Sequence, residues 1–354
     1  MRALVIHAAH DLRVEDFPDE KLTGGQTALG PDEVQVRMAA GGICGSDLHY
    51  YHHGGFGTVR VREPMALGHE ASGHVIAIGA AVRHLGVGDL VAVNPSSPCG
   101  ECPFCRSGAL NHCENMRFNG SAMRFPHVQG LFRDHITVPA ARAFRMEAGI
   151  SAAEAALCEP FAVTLHAAKQ AGDLAGKTVL VSGCGPIGIL AIVAARLGGA
   201  KTIIATDITR HSLAVAKAFG CDDCIDVSAG EGLAPYAANR GQIDVAFECS
   251  GNPAAMAAAI GTLKPRGRIV LVGLGGDAPM PVNMIVAKEL EIVGTFRFDA
   301  EFSRAAELIA SRAVDLRPMI SAVFPLDQAV EAFARASDRT QATKVVIALS
   351  EQAN

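Results

Sequence analysis

The stretch KTVLVSGCGPIGILAIVAARLGGAKTIIATD, residues 177–207, constrains the fold more than any other part of the chain. KTVLVSG is a short apolar, β-branched run, an alanine-rich helical pattern follows it, and TIIATD is a second apolar run. A strand, a glycine turn, a helix and a second strand in that order make a βαβ unit with parallel strands. The turn holds Gly183, Gly185 and Gly188 at GxGxxG spacing, with Pro186 and Ile187 opening the helix. In this context Gly183 permits the tight turn, Gly185 lets backbone N–H groups approach a pyrophosphate, and Gly188 lets the helix pack close to the strand. Asp207 closes the second strand 19 residues after Gly188, where an acid can accept from both hydroxyls of an adenosine ribose. The loop therefore predicts a dinucleotide. Asp207 favours NAD by repelling a 2'-phosphate, while Arg210 could pair with one, so NAD is preferred and NADP stays open.

Further apolar runs, DVAFECSG and RIVLVGL, alternate with alanine-rich segments and extend the parallel sheet, giving a doubly wound α/β domain over residues 156–296. The flanking texture is different. Residues 1–155 are rich in Gly, Pro and His, with short runs such as EVQVRM, HVIAIG and DLVAVNP bounded by turn residues, and predict an irregular β-rich domain with long loops. Residues 297–354 return to mixed character. At 354 residues the chain exceeds the usual size of one hydrophobic core, so two domains are expected.

The formal charge of -5, without a basic run, excludes a general nucleic-acid binder and leaves a small molecule as partner. The N-terminal MRALVIHAAHDLRVEDF lacks the apolar core of a signal peptide, and the most apolar later stretch is broken by Arg196, two glycines and Lys201. No membrane association is expected, and the cytoplasm is the expected location. Thiols there stay reduced, so dense cysteines suggest a metal before disulfides.

Cys99, Cys102, Cys105 and Cys113 form such a cluster, enough to close a tetrahedral zinc shell with no open position. Chemistry would need a site with a vacancy. Cys44 in GGICGSDLH and His69-Glu70 in LGHE offer S, N and O donors from two loops, with a fourth position left over. Cys221 and Cys224 repeat the CxxC spacing without further ligands nearby and read as ordinary packing.

Cys44 in its GGICGSDLH setting, Gly68-His69-Glu70, the four-cysteine loop, Glu159-Pro160 and the glycine loop occur in the order, and at about the spacing, of the zinc-dependent medium-chain alcohol and polyol dehydrogenases, which the chain resembles along essentially its whole length. The stretches CGSDLHYY, VNPSSPCG, LHAAKQAGDLAGK and GTFRF are most similar to the sugar-acid branch. The loop after Phe118, GSAMRFPHVQG, departs from sorbitol and xylitol dehydrogenases.

The resemblance implies a GroES-like catalytic domain from both chain ends, a Rossmann coenzyme domain inserted between them, a cleft between the domains, and two zinc ions per chain. Cys44, His69 and Glu70 would hold the catalytic zinc, and Glu159 would hydrogen-bond in that shell or replace Glu70, with Cys158 blurring the assignment by one residue. Ser46 and His49 would form a proton relay. Tyr50, Phe118 and Ser121 would line the substrate pocket, and Arg297, Arg124 and His127 are candidate cations for a substrate carboxylate. The implied reaction is reversible oxidation of the C5 hydroxyl of a sugar acid by NAD(P), in a homodimer or homotetramer. A neutral polyol such as sorbitol or xylitol is the alternative substrate, and a catalytically silent NAD(P)H-binding protein is the alternative of another class.

Overall fold

The computed structural model describes residues 1–18, 29–228 and 232–350. The chain separates into two compact units, one of Met1–Glu159, Phe302–Asp338 and Lys344–Asn354, the other of Pro160–Glu301 and Arg339–Thr343. The crossings fall a few residues later than the texture changes near 155 and 296. The excursion of Arg339–Thr343 into the second unit has no counterpart in the composition.

The second unit is built on six parallel strands in the order Asp223–Asp226, Thr202–Asp207, Thr178–Ser182, Ile243–Glu248, Leu263–Leu271, Glu291–Gly294. The first strand in sequence, Thr178–Ser182, lies inside the sheet and the chain winds outward from it both ways, the order of a doubly wound dinucleotide-binding fold. Leu180, Ile204, Ala246, Ile260 and Ile269 pack together in its core, which explains why these runs are apolar throughout rather than alternating. Helix Pro186–Leu197 starts at the end of the first strand and sits tightly against it. A Cβ on Gly188 would collide with the Gly183 carbonyl oxygen, so only glycine allows this approach.

In the first unit, strand Glu33–Gly42 is paired antiparallel with Glu70–Ile78, His135–Pro139 and Lys344–Ala348 within a seven-stranded sheet. Register places Gly42 opposite both Glu70 and Val346. A Cβ on Gly42 would strike Glu70 Oε2, so the bare glycine makes room for a buried carboxylate at the strand end. Helix Gly45–His53 follows this strand after a two-residue turn and carries several of the candidate side chains.

Candidate active site

Cys44 caps helix Gly45–His53. Its sulfur accepts from the Asp47 amide, and its own N–H donates to Asp47 Oδ2 at 3.0 Å. Across from it, Glu70 opens the strand Glu70–Ile78, with His69 just before it and Gly68, whose φ of +93° favours glycine, before that. One ligand atom each from Cys44, His69 and Glu70 lie within 4.8 Å of one another. Asp47 is fully buried, and its Oδ1, without a hydrogen-bond partner among the described residues, lies 3.8 Å from His69 Nδ1. A carboxylate behind Nδ1 orients the ring so that Nε2 is the nitrogen left for a metal.

Glu70 is not isolated. The Lys344 ammonium donates to its two carboxylate oxygens at 2.8 and 2.6 Å and to the Ile43 carbonyl at 3.1 Å, with both side chains 1% exposed. Burial opposes a charged Lys344, yet Glu70 and Cys44 beside it hold its pKa above the ordinary lysine value. Glu159 is also buried here but stands outside the group of atoms within 4.8 Å. Burial, with Glu70 and Cys44 adding to it against the pull of His69, pushes Glu159 up to about 8. Burial and Glu70 push the Cys44 thiol up to about 12, and burial raises Asp47. Glu70, Cys44 and Glu159 thus bear on one ammonium, an environment short of positive charge. An S, N and O donor set in such surroundings fits zinc, and a bound divalent cation would drive the proton from Cys44.

The four sulfurs of Cys99, Cys102, Cys105 and Cys113 likewise lie within 4.8 Å of one another, and each of the ten cysteines is free of disulfides. Amide N–H groups point at them: Cys99 N and Asn115 N donate to Cys113 Sγ at 3.2 and 3.3 Å, and Cys105 N to Cys102 Sγ at 3.5 Å. The amides of Glu101 and Cys102 pull the Cys99 thiol down to about 6. Donation to sulfur favours thiolates, the form that ligates a metal, so this lobe fits a zinc with a completed shell. Cys221 and Cys224 approach to 3.1 Å but join no group of metal-ligating side chains among the described residues.

Two of the candidate substrate cations are already committed. Arg124 donates to the Met116 carbonyl at 2.7 Å and to the Glu114 carbonyl, clamping its loop to the end of the four-cysteine lobe. His127 is buried, with Nε2 accepting from Arg62 N at 2.9 Å and Nδ1 donating to the Arg124 carbonyl at 2.7 Å. Tyr50 is 1% exposed and its hydroxyl accepts from Ala122 N at 3.1 Å, tying the helix to the same loop. Ser121 is buried, and its hydroxyl accepts from Met123 N at 3.3 Å. The Phe118 ring stands 5.7 Å from that of His69, centroid to centroid. Ser46 and His49 are three apart on one helix, hence on one face, with His49 exposed. Arg297 lies in the other unit, at φ +53°, its guanidinium 4.9 Å from the Phe296 ring centroid.

In that unit the glycine loop turns at Gly183, with φ +88°, and caps helix Pro186–Leu197 at Gly185 without a side-chain partner. Asp207 Oδ2 accepts from Cys184 N at 2.8 Å, and its Oδ1 accepts from the Thr209 amide and hydroxyl at 2.8 and 2.9 Å. The acid therefore fixes the loop's shape and retains lone pairs for hydroxyl donors. Arg210 is exposed in the first turn of helix Arg210–Ala218. A cavity of about 330 Å³ lies beside Asp207, lined also by Gly183, Val227, Ser250, Asn252 and Ala255. Its walls fit an adenosine, with the open glycine turn next to it for phosphates.

The zinc-binding dehydrogenase family matches residues 186–311, and the alcohol dehydrogenase GroES-like domain matches residues 30–148. L-idonate 5-dehydrogenase (NAD(P)(+)) of Escherichia coli K12 is 40% identical over 311 residues, covering 88% of this chain and 90% of that one. Sorbitol dehydrogenase of Bacillus subtilis is 35% identical over 353 residues, covering 98% and 97%. The crystal structure of the Escherichia coli L-idonate 5-dehydrogenase superposes with a TM-score of 0.91 at 37% identity, covering 98% of this chain and 97% of that one.

Proposed function

We propose that this chain, which belongs to the zinc-binding medium-chain alcohol dehydrogenase family, oxidises the C5 hydroxyl of L-idonate with NAD(P)+ to 5-keto-D-gluconate, and reduces that ketone in reverse. The observation that carries the choice of substrate is the likeness to the Escherichia coli enzyme in sequence and backbone along most of the chain.

Cys44, His69 and Glu70 are the residues that would hold the catalytic zinc, and Cys99, Cys102, Cys105 and Cys113 the structural one. Zinc held there would supply the Lewis acidity that lowers the pKa of a secondary alcohol, and a bound nicotinamide would supply the hydride acceptor. Asp47 orients His69, and Lys344 balances the charge of Glu70 and sets its carboxylate in place. Glu159, buried at the edge of the same group with its pKa raised by burial, is the side chain we assign to hydrogen-bond in that shell. Ser46 would take the alcohol proton at its hydroxyl oxygen while giving up its own by way of the coenzyme ribose, and His49, on the same helix face and exposed, would take that proton and release one to water.

Arg297 is our assignment for the sugar-acid carboxylate, because Arg124 and His127 are engaged with backbone atoms of their own loops. Phe118, beside His69, is an apolar wall. Gly183, Gly185, Pro186, Ile187 and Gly188 hold the dinucleotide, with Asp207 on its ribose. We take NAD as preferred on the strength of Asp207, with Arg210 the group that would admit NADP.

A second reading, oxidation of a neutral polyol, is favoured by the likeness to sorbitol dehydrogenase over nearly all of the chain. Comparison of kcat/KM for L-idonate and sorbitol, each with NAD and with NADP, separates the two. The first reading expects L-idonate to lead, and a preference for sorbitol of about tenfold or more would sink it.

A further inference from the structure

We infer that Cys221 and Cys224 form a reversible redox pair, which closes to a disulfide by exchange with an oxidised small thiol such as glutathione disulfide. The two sulfurs are 3.1 Å apart, about 1 Å more than the length of a disulfide bond. A turn brings them together. Cys221 follows Gly220, whose φ of +86° lets the chain leave helix Arg210–Ala218, and Cys224 is the second residue of strand Asp223–Asp226. The two residues between them are held from several sides. The Asp222 amide donates to the Ile203 carbonyl at 2.9 Å, and the Asp222 carboxylate accepts from the Ile203 amide at 2.7 Å and from Arg196 at 2.8 Å. Lys217 donates to the Cys221 and Asp222 carbonyls at 3.3 and 3.0 Å, and the Tyr236 hydroxyl donates to Asp223 Oδ2 at 2.5 Å. The turn is thus fixed before any oxidation, and closing the bond needs little further ordering.

A pair alone suits a disulfide rather than a metal. No third Cys, His, Asp or Glu completes a ligand group with these two among the described residues, whereas the cysteines of residues 99–113 complete one. The two thiols differ in a way that sets the order of events. Cys221 is 2% exposed, its S–H donates to the Asp223 carbonyl at 2.8 Å, and burial, with Cys224 beside it, holds its pKa above that of an ordinary thiol. Cys224 is partly exposed, on the outermost strand of the six-stranded sheet, and is therefore the sulfur that a solute meets. As thiolate, Cys224 attacks one sulfur of glutathione disulfide. The S–S bond of that molecule breaks, one glutathione leaves and takes up a proton, and a mixed disulfide remains on Cys224. Cys221 then attacks the Cys224 sulfur, and its proton passes to the second departing glutathione. Two protein thiols are oxidised, the small disulfide is reduced to two thiols, and both protons end on those thiols. Excess reduced glutathione runs the exchange backwards.

Mass mapping of the zinc-loaded full chain tests this. The protein is equilibrated in glutathione buffers from reduced to oxidised, quenched in acid, unfolded, alkylated at its free thiols and cut with trypsin. Peptide 218–240 carries these two cysteines and no other. In the wild type we expect it to lose two hydrogen atoms and escape alkylation as the buffer becomes oxidising, and to regain them when reduced glutathione is restored. In Cys221→Ser the exchange should stop at a glutathione adduct on Cys224, while in Cys224→Ser the buried Cys221 should stay a free thiol. A wild-type peptide alkylated at both cysteines in every buffer, or carrying glutathione without the crosslink, would overturn the proposal. So would a crosslink that reduced glutathione does not reopen, or an adduct on Cys221 in Cys224→Ser that forms as readily as the one on Cys224 in Cys221→Ser.

Discussion

The ammonium of Lys344 reaches across 274 residues of sequence to donate to both carboxylate oxygens of Glu70, at 2.8 and 2.6 Å. The pair lies 1% exposed beside Cys44 and His69, so the charge of Glu70 is balanced whether or not a metal is near. Removing one member leaves the other buried and uncompensated, at a cost of about 3–5 kcal/mol. Lys344→Met should therefore lower the urea midpoint of the chelator-treated protein markedly. Zinc should restore more stability to this variant than to the wild type, because a cation can stand in for the lost ammonium. Equal zinc stabilisation of both proteins would show that Glu70 and the metal do not communicate.

Glu159 supplies a pH dependence. Its folded pKa is raised from 4.5 to about 8, so between those values the folded chain keeps a proton that the unfolded chain has released. The folded state then binds more protons, and stability must fall as pH rises through that window. Chelator-treated protein should show this decline in its denaturation midpoint, and Glu159→Gln should flatten it. A midpoint that climbs with pH across the same range in wild type but not in the variant would contradict the assignment.

The two metal groups predict opposite mutant behaviour. Cys44→Ser should reduce turnover by at least about 100-fold while circular dichroism and melting stay near wild type. Cys102→Ser removes a ligand from a closed shell and should lower melting by several degrees, with activity loss secondary to unfolding. Metal content by mass spectrometry should drop by one zinc in each. Turnover abolished in Cys102→Ser at unchanged stability would reverse the division of labour.

Arg124 and Arg297 are separated by their contacts. Arg124→Ala frees the Glu114 and Met116 carbonyls and should speed zinc loss to a chelator, with KM for L-idonate unchanged. Arg297→Ala should lower kcat/KM for L-idonate by about 10- to 100-fold while leaving a neutral polyol nearly unaffected. The same loss on both substrates would place Arg297 outside carboxylate recognition.

Much of this was legible locally. The parallel sheet follows from four apolar runs alternating with helical ones, and the glycine loop from spacing within six residues, because periodicity and turn geometry act over a few residues. That Cys44, His69 and Glu70 form one group and the four cysteines another was expected from residue type and spacing, and the structure brings each group together. What was hidden is pairing at long range. A lysine opening the apolar strand KVVIAL gives no sign of its carboxylate partner, and Asp47 in GSDLH gives no sign that it stands behind His69. Arg124 and His127 look like ligand-binding groups in a loop of unusual sequence, yet the loop uses them to satisfy its own carbonyls and amides. The strap Arg339–Thr343 is invisible in composition, since its crossing is a matter of what it packs on.

Thr343 and Lys344 are neighbours in the chain, yet the first meets His211 in one unit and the second grips Glu70 in the other. Adjacent residues therefore serve different units: losing the Thr343 contact bears on the helix that carries His211, and losing Lys344 bears on the buried carboxylate of Glu70.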